Sequence, residues 1–553
     1  MHNELKFDSV RQAAYRKAGY WGDATLLDYW NIAVACAPDK EAVVDTHHTR
    51  YSYKTLDQAA SRLAAYFIES RVLPGDIVSF QIPGWAEFTI IYVACLKVGA
   101  VANPILPNFR INELLYMLNK CSTKILFIPH EFRRYRFTEM VPELQAKVPS
   151  LQKIIVVDKQ KTLPASLMAE NPDFTTLDSI QSRNDLPCQI QKPCTRADEL
   201  AIILFTSGTE GAPKGVMHTH NNVIAGLKSS IATFGISYLD TMLMPAPVAH
   251  VTGFFRGVIM PQMAQAKSVL QDIFAPAEML ATIEKEKCTC TVGSTPFLHD
   301  ALIELERSAY DLSSLRIFFC GGAPIPESTI QKALSKDICI VRLYGASECV
   351  SQVATRLNDP ADKIIKTDGR TLPGIEMKIV DCHRQTLSFE QEGEIATRGP
   401  NIFSGYYNAP DLTAKAIDAQ GWYYSGDLGI MDKDGFIRIT GRIKDVIIRG
   451  GENISSKELE DIILQHPKVY EASVVAMPDA RLGEKTCVYV TLNDPGAVFT
   501  FQEMTALFAA ANIAKYKFPE RLEIIEHMPK TASGKVQKNR LRKDIAQKLL
   551  EEK

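Results

Sequence analysis

Three observations predict an α/β architecture for this chain. Short β-branched apolar runs alternate with longer helical patterns through residues 50 to 345. Three of those runs end in turns of glycine and small residues. After about residue 375 the text becomes strand-rich, with glycine turns. Together they predict a large N-terminal region of mixed parallel sheets covered by helices, an antiparallel β subdomain, and a small mobile C-terminal α+β domain. The borders fall at 1–440 for the large domain, 441–445 for a hinge and 446–553 for the small domain.

The first elements are the runs "TKILFI" (123–128), "KIIVVD" (153–158), "LAIILF" (200–205), "LRIFFC" (315–320) and "ICIVRLY" (338–344). Runs apolar at every position suit parallel strands buried on both faces. "FTIIYVACLKVGAVANPIL" is broken by Lys97, Gly99, Asn103 and Pro104. A membrane span needs about 20 mostly apolar residues, so its first half predicts a buried core helix. The turns "TSGTEG", "GGAPIP" and "YGASE" follow three strands. Open α/β sheets bind ligands beyond the carboxyl ends of their strands, so these turns are expected to line one crevice.

Beyond residue 375, "MKIVD", "GEIATRGP", "GWYYSGDLG" and "KDGFIRITG" read as antiparallel strands. A short strand then leads into the Gly450–Gly451 turn. Ser455 and Glu458 carry a capping-box signature, with Leu459, Ile462 and Ile463 following at helical spacing. "VYEASVVAM" is the next strand.

Hydrophobic residues make up 46% of the 553, charged residues 23%, and the formal net charge is -2. No global field recruits nucleic acid or an anionic membrane. The N-terminus has no apolar signal region, and the twelve cysteines lack a pairing pattern, as in reduced cytoplasmic proteins. Cys288 and Cys290 have no second ligand pair at zinc spacing. A cytoplasmic enzyme is expected, with no transmembrane segment; peripheral membrane contact and oligomeric state are left open.

"TSGTEGAPKG" (206–215) holds three glycines, three hydroxyls and Lys214. Lys214 lies between Pro213 and Gly215, so the G-x-x-x-x-G-K-[ST] pattern fails twice. The physical content survives: glycines let backbone N–H groups approach phosphate oxygens, and hydroxyls add donors. Read alone, the loop is equally a flexible surface turn. Asp427 alone reads as a turn residue, Tyr344 as core, and Lys535 as one charge in a basic tail.

The whole text is similar to the adenylate-forming superfamily of acyl-CoA synthetases, luciferases and peptide-synthetase adenylation domains. "TSGTEGAPKG" resembles its T-S-G-T-T-G-x-P-K-G loop, and "PAPVAHVTG" (245–253) its His-containing segment. "CGGAPIP" (320–326) resembles its adenine-wall motif, and "YGASE" (344–348) its Y-G-x-T-E. "GWYYSGDLG" (421–429) resembles its ribose motif, "GRIKDVIIRGGENIS" (441–455) its hinge and "PKTASGK" (529–535) its catalytic-lysine loop. The resemblance runs from about residue 25 to 545. Glu210 stands where the family has a second threonine, and Ser347 where it has threonine.

The resemblance implies two steps: a carboxylate attacks the α-phosphate of ATP, releasing pyrophosphate, and a thiol then displaces AMP from the acyl-adenylate. It implies that Thr206, Ser207, Gly208, Thr209, Glu210, Gly211 and Lys214 hold phosphates. Gly321, Gly322 and Ala323 would line the adenine pocket with Tyr344 and Gly345, and Ser347 would touch a phosphate. Glu348 would bind Mg²⁺. Asp427 would accept from the ribose hydroxyls, with Arg442 assisting. Lys535 and His250 would be catalytic, and Lys444 the hinge residue.

"MPAPVAHVTGFF" (244–255) lacks the aspartate that peptide synthetases use for an amino group, and is apolar apart from His250 and Thr252. An uncharged aliphatic or aromatic acid is expected, with free CoA as thiol, since no carrier segment is appended. The wording most resembles bacterial short- to medium-chain fatty acyl-CoA ligases. An aryl- or carnitine-type acid, or a luciferase-like oxygenase using the adenylate, is the alternative.

Overall fold

The structure is a computed structural model. It describes residues 9–163, 174–187, 189–191, 193–206, 213–323, 325–494, 496–531 and 534–552. The expected phosphate-loop residues Ser207, Gly208, Thr209, Glu210 and Gly211 lie outside the described residues.

Each of the five apolar runs overlaps a strand: Ile125–Pro129, Lys153–Val157, Leu200–Phe205, Ile317–Gly321 and Ile340–Ala346. They belong to two different sheets. A nine-stranded sheet places Ile340–Ala346 beside Ile317–Gly321, then Cys290–Gly293, Thr241–Met244, Lys267–Leu270 and Glu41–Asp45, all parallel. An eight-stranded sheet holds the other three runs. Antiparallel strands lie at both edges of the nine-stranded sheet and at one edge of the eight-stranded sheet, whose other edge, Phe174–Thr176, is parallel.

One core joins the sheets. Phe80, Phe127 and Ile202 from one, and Met244, Val292 and Phe319 from the other, enclose buried side chains of helices Tyr53–Glu69, Ala86–Val98 and His220–Phe234. Helix Ala86–Val98 is buried nearly all round, including Phe88, Ile90, Ile91 and Tyr92. A helix apolar on every face belongs in such a core. Each large apolar side chain so buried contributes about 1.5–3 kcal/mol. Lys97 pairs with Asp57 at 2.6 Å. Gly99 ends the helix at φ 72°, in the left-handed region where glycine carries no Cβ penalty.

The strand-rich region forms a four-stranded antiparallel sheet: Glu376–Val380, Gly393–Arg398, Tyr423–Met431 and Ile437–Arg442. A single 3₁₀ turn, Ile443–Asp445, leads from it to Ile447–Arg449. That strand belongs to a five-stranded sheet with its own apolar core around Leu459, Val474 and Phe508. Ser455 caps helix Ser456–Ile463 by accepting from the Glu458 N–H. The Glu458 carboxylate does not return the bond; it pairs with Lys517 at 2.7 Å.

No helix among the described residues is long and apolar enough to cross a membrane. The eleven described cysteines are free. Burial pushes the thiols of Cys288 and Cys290 up to about 12, so both are inert at neutral pH.

Candidate active site

The three expected loops have two different origins. Strands Ile317–Gly321 and Ile340–Ala346 run parallel, with Gly321 paired to Leu343, three residues before the second strand ends. Leu200–Phe205 instead pairs antiparallel with Gly215–Thr219 in the other sheet, so Thr206 and Lys214 meet at the end of a strand hairpin. The two are tied twice. The Thr206 N–H donates to the Lys214 carbonyl at 3.0 Å, and the Lys214 N–H donates to Thr206 Oγ1 at 3.4 Å.

At the end of its strand, Gly321 packs against the neighbouring backbone. A Cβ there would lie 2.3 Å from the Leu343 carbonyl oxygen. Gly322 follows at φ +85°, again a conformation that favours glycine. Thr295 Oγ1 donates to the Ala323 carbonyl at 3.4 Å. In the adjacent strand Gly345 leaves ordinary space: a Cβ would lie 3.4 Å from the Cys349 carbonyl oxygen.

Ser347 and Glu348 are the two residues between the antiparallel partners Ala346 and Cys349. His218 Nε2 donates to the Ser347 carbonyl at 2.7 Å, which fixes this turn from the other sheet. Tyr406 Oη donates to Glu348 Oε1 at 2.8 Å. The Lys214 ammonium lies 5.1 Å from the centre of the same Tyr406 ring. Tyr406 thereby links the hairpin base at Lys214 to Glu348, a contact sequence reasoning missed; the run Gly405-Tyr406-Tyr407 carries no signal of it.

Asp427 sits in the second pair of facing strands, directly opposite Arg442. Arg442 Nε donates to Asp427 Oδ1 at 2.7 Å, and Tyr344 Oη donates to Oδ2 at 2.8 Å. Only 5% of Asp427 is exposed. A carboxylate oxygen accepts more than one hydrogen bond, so each keeps capacity for a hydroxyl. Burial, then the charge of Asp427, holds the Tyr344 phenol well above its usual range.

Lys535 comes from the small domain on a turn closed by its own backbone. Thr531 N–H donates to the Lys535 carbonyl at 2.8 Å, and Gly534 N–H to the Thr531 carbonyl at 3.0 Å. Gly534 at φ +82° rests on the start of helix Thr295–Arg307; a Cβ there would sit 3.1 Å from Ser294 Oγ. This seats the Lys535 side chain against Gly322. Burial lowers the Lys535 pKa and Arg442 lowers it further, while Asp427 and Glu348 oppose them. Lys535 thus rests on Gly322 within the field of Arg442, Asp427 and Glu348.

Burial, then the charge of Lys535, lowers His250 to about 3. At neutral pH it is uncharged. Its Nδ1 accepts from the Thr252 N–H at 3.4 Å, which assigns the proton to Nε2 and makes that edge a donor. Lys444 is exposed in the turn between the sheets, and its carbonyl accepts from Arg542 Nη2 at 3.2 Å.

After His250 the chain winds into a π-helix, Gly253–Ile259, a form often found at functional sites. Its glycines permit the close fit: a Cβ on Gly253 would lie 2.1 Å from the Pro247 carbonyl oxygen, and one on Gly257 2.5 Å from Met244 Cγ. Between them Arg256 is carried into the interior, 5% exposed. The apolar stretch 244–255 ends one residue before this arginine.

Residues 31–407 match the family described as AMP-binding enzyme, and residues 458–535 match the AMP-binding enzyme C-terminal domain. The chain is 47% identical to the medium-chain fatty-acid–CoA ligase of Escherichia coli (strain K12), over 99% of this chain and 95% of that protein. It is 30% identical to the 2,3-dihydroxybenzoate-AMP ligase of Bacillus subtilis (strain 168), over 97% and 96%. ATP-bound MatB from Rhodopseudomonas palustris superposes with a TM-score of 0.84 at 25% identity, covering 95% of this chain and 99% of that one. Matched in both its large and its C-terminal part, the chain belongs to the AMP-binding enzyme family.

Proposed function

We propose that this protein is an acid–thiol ligase. It joins a short- to medium-chain carboxylic acid to AMP and then passes the acyl group to CoA. The observation that carries the reading is the seat of Lys535 against Gly322, with Asp427, Arg442 and Glu348 around it. The 47% identical relative, named for medium-chain fatty acids, supports the acid class.

In the first step a carboxylate oxygen attacks the α-phosphorus and the bond to pyrophosphate breaks. Both reacting groups are anionic, so a fixed cation between them lowers the barrier most. Lys535 supplies it. The hairpin base at Thr206 and Lys214 holds the β- and γ-phosphates, and the Gly321–Ala323 turn takes the adenine. Asp427 takes the ribose hydroxyls, steadied by Arg442 and Tyr344.

Glu348 has the chemistry for Mg²⁺, which takes one or two carboxylates together with phosphates and water. It is buried, and Tyr406 engages Oε1, so Oε2 is the oxygen that would hold the ion. When bound, Mg²⁺ offsets phosphate charge. In the second step the CoA sulfur attacks the acyl carbon and AMP leaves. The small domain turns about Lys444 in the segment 441–445, which withdraws Lys535. His250, neutral with its Nε2 proton available, orients the carboxylate. The free thiols and the absence of a spanning helix among the described residues are consistent with a cytoplasmic setting.

The test is a panel of carboxylic acids in ATP–pyrophosphate exchange, with and without CoA. Acid-dependent exchange, and acyl-CoA plus AMP once CoA is added, is expected. Absence of acid-dependent exchange sinks the reading.

A further inference from the structure

Arg256 is a buried cation with only neutral company. Its Nη2 donates to Ser351 Oγ at 2.7 Å, and its guanidinium carbon lies 5.3 Å from the centre of the Phe319 ring. Nη1 is buried without a hydrogen-bond partner. Among the described residues no carboxylate pairs with it. Ser351 cannot compensate the charge, since its hydroxyl already donates to the Val350 carbonyl and receives Ser230 Oγ at 3.3 Å. Breaking such a cation away from all counter-charge costs several kcal/mol in real proteins, and an open N–H inside a core adds a desolvation penalty. Leucine or methionine would fill the space without either cost.

The position of this group points to a use. Arg256 follows His250 by six residues on the same tightly packed segment. Phe319, which its guanidinium faces, precedes Gly321 by two residues in the strand that ends at the Lys535 seat. Two strand residues span about 6–7 Å. Ser351, on the other flank, lies three residues beyond Glu348. The segments that carry His250, the Gly321–Gly322 turn and Glu348 thus each contribute a residue, Arg256, Phe319 and Ser351, to one buried cluster.

We propose that Arg256 is a specificity-determining residue of the acid pocket, and that the preferred acid carries a second oxygen acceptor, hydroxyl or carboxylate, at its far end to take the open Nη1 N–H. This deepens the ligase reading and rests on it. It adds a buried cation just beyond the segment 244–255, which is apolar apart from His250 and Thr252. Arg256 stays protonated, since burial brings it down only to about 10. A site built to hydrogen-bond a substrate group discriminates strongly against the analogue that lacks it.

The experiment compares hexanoic acid, 6-hydroxyhexanoic acid and hexanedioic acid in ATP–pyrophosphate exchange, with the four-carbon series alongside. In the unaltered protein at least one oxygen-tailed acid is expected to show kcat/KM about tenfold or more above its plain counterpart. The preferred arm tells hydroxyl from carboxylate. Arg256→Met is expected to reverse the ratio, with the melting temperature recorded to show that it folds. Should it fail to fold, the comparison in the unaltered protein decides alone. A plain acid used as well as or better than both tailed acids overturns the proposal and leaves the ligase reading intact. Exchange with none of the acids overturns both.

Discussion

Lys535 and Gly322, from different domains, are in contact: a β-carbon built on Gly322 would lie 3.8 Å from Lys535 Cε. In the proposed reaction adenylate formation depends on this meeting, because it brings the Lys535 amine to the turn expected to take the nucleotide. Lys535→Ala is expected to lower ATP–pyrophosphate exchange by about 10²–10³, the size of effect seen when one preorganised donor is removed. Thiolysis of a supplied acyl-adenylate should persist within a few-fold. Equal losses in the two assays would mean that Lys535 acts in both steps or only in folding.

The charge state of Lys535 gives a second prediction. Burial and Arg442 lower its pKa, and only the protonated amine neutralises the attacking carboxylate. Exchange activity should therefore fall as pH rises through a pKa below the usual lysine value. Arg442→Gln removes one cation and frees Asp427, which favours the protonated form. Both effects raise the pKa, so the alkaline limb of the exchange profile should move to higher pH. A variant that raises the KM for ATP without moving the limb would confine Arg442 to the ribose.

Much of this was legible beforehand because the relevant signals are local. Runs apolar on both faces, such as 153–158 and 315–320, can only be satisfied inside a covered sheet, and both overlap strands. The expected positions Asp427 and Arg442 meet as cross-strand neighbours. What stayed hidden depends on pairing between distant segments. Nothing near Leu200–Phe205 tells that it turns back on Gly215–Thr219, because register is settled by the partner strand and the shared core. The Glu458 carboxylate, suited to a capping box, is drawn instead to Lys517, 59 residues away. Tyr406 and Arg256 look ordinary in sequence because each gains its meaning from one contact across the fold.

His218 ties site geometry to acid stability. It is fully buried, and burial lowers its pKa to about 4, while a bond to the Ser347 carbonyl partly offsets this. Nδ1 has no partner, so a second proton would be buried unsatisfied. In the unfolded chain the imidazole protonates near 6.5. The folded state holds its full advantage above that value and loses it as pH falls toward 4. One pH unit is worth about 1.4 kcal/mol per such group, so at pH 5 the loss from His218 is about 2 kcal/mol. His220, also lowered to about 4 by burial, adds a similar share. His218→Gln keeps an N–H donor for Ser347 and does not titrate. Its melting temperature should drop less between pH 6.5 and 5 than that of the unaltered protein. Parallel pH curves would remove His218 from the acid response.

The last prediction concerns the balance between domain arrangements. Tyr470 Oη, on the small domain, donates to Asp300 Oδ1 at 2.7 Å on helix Thr295–Arg307, the helix on which Gly534 rests. The bond holds the lobes in the arrangement that seats Lys535, and rotation must break it. A hydrogen bond to a charged group is worth about 1.5–3 kcal/mol, enough to shift a two-state population by roughly tenfold or more. Tyr470→Phe should therefore slow adenylate formation by up to about tenfold and leave thiolysis of a supplied adenylate equal or faster. Lys444→Pro should do the reverse, since proline fixes φ near −65° and restricts the turn at Ile443–Asp445: adenylate forms, thioester formation slows. Measuring both half-reactions in both variants separates a moving small domain from a static one. If the two substitutions depress the same half-reaction, rotation about Lys444 is not how Lys535 gives way to the thiol.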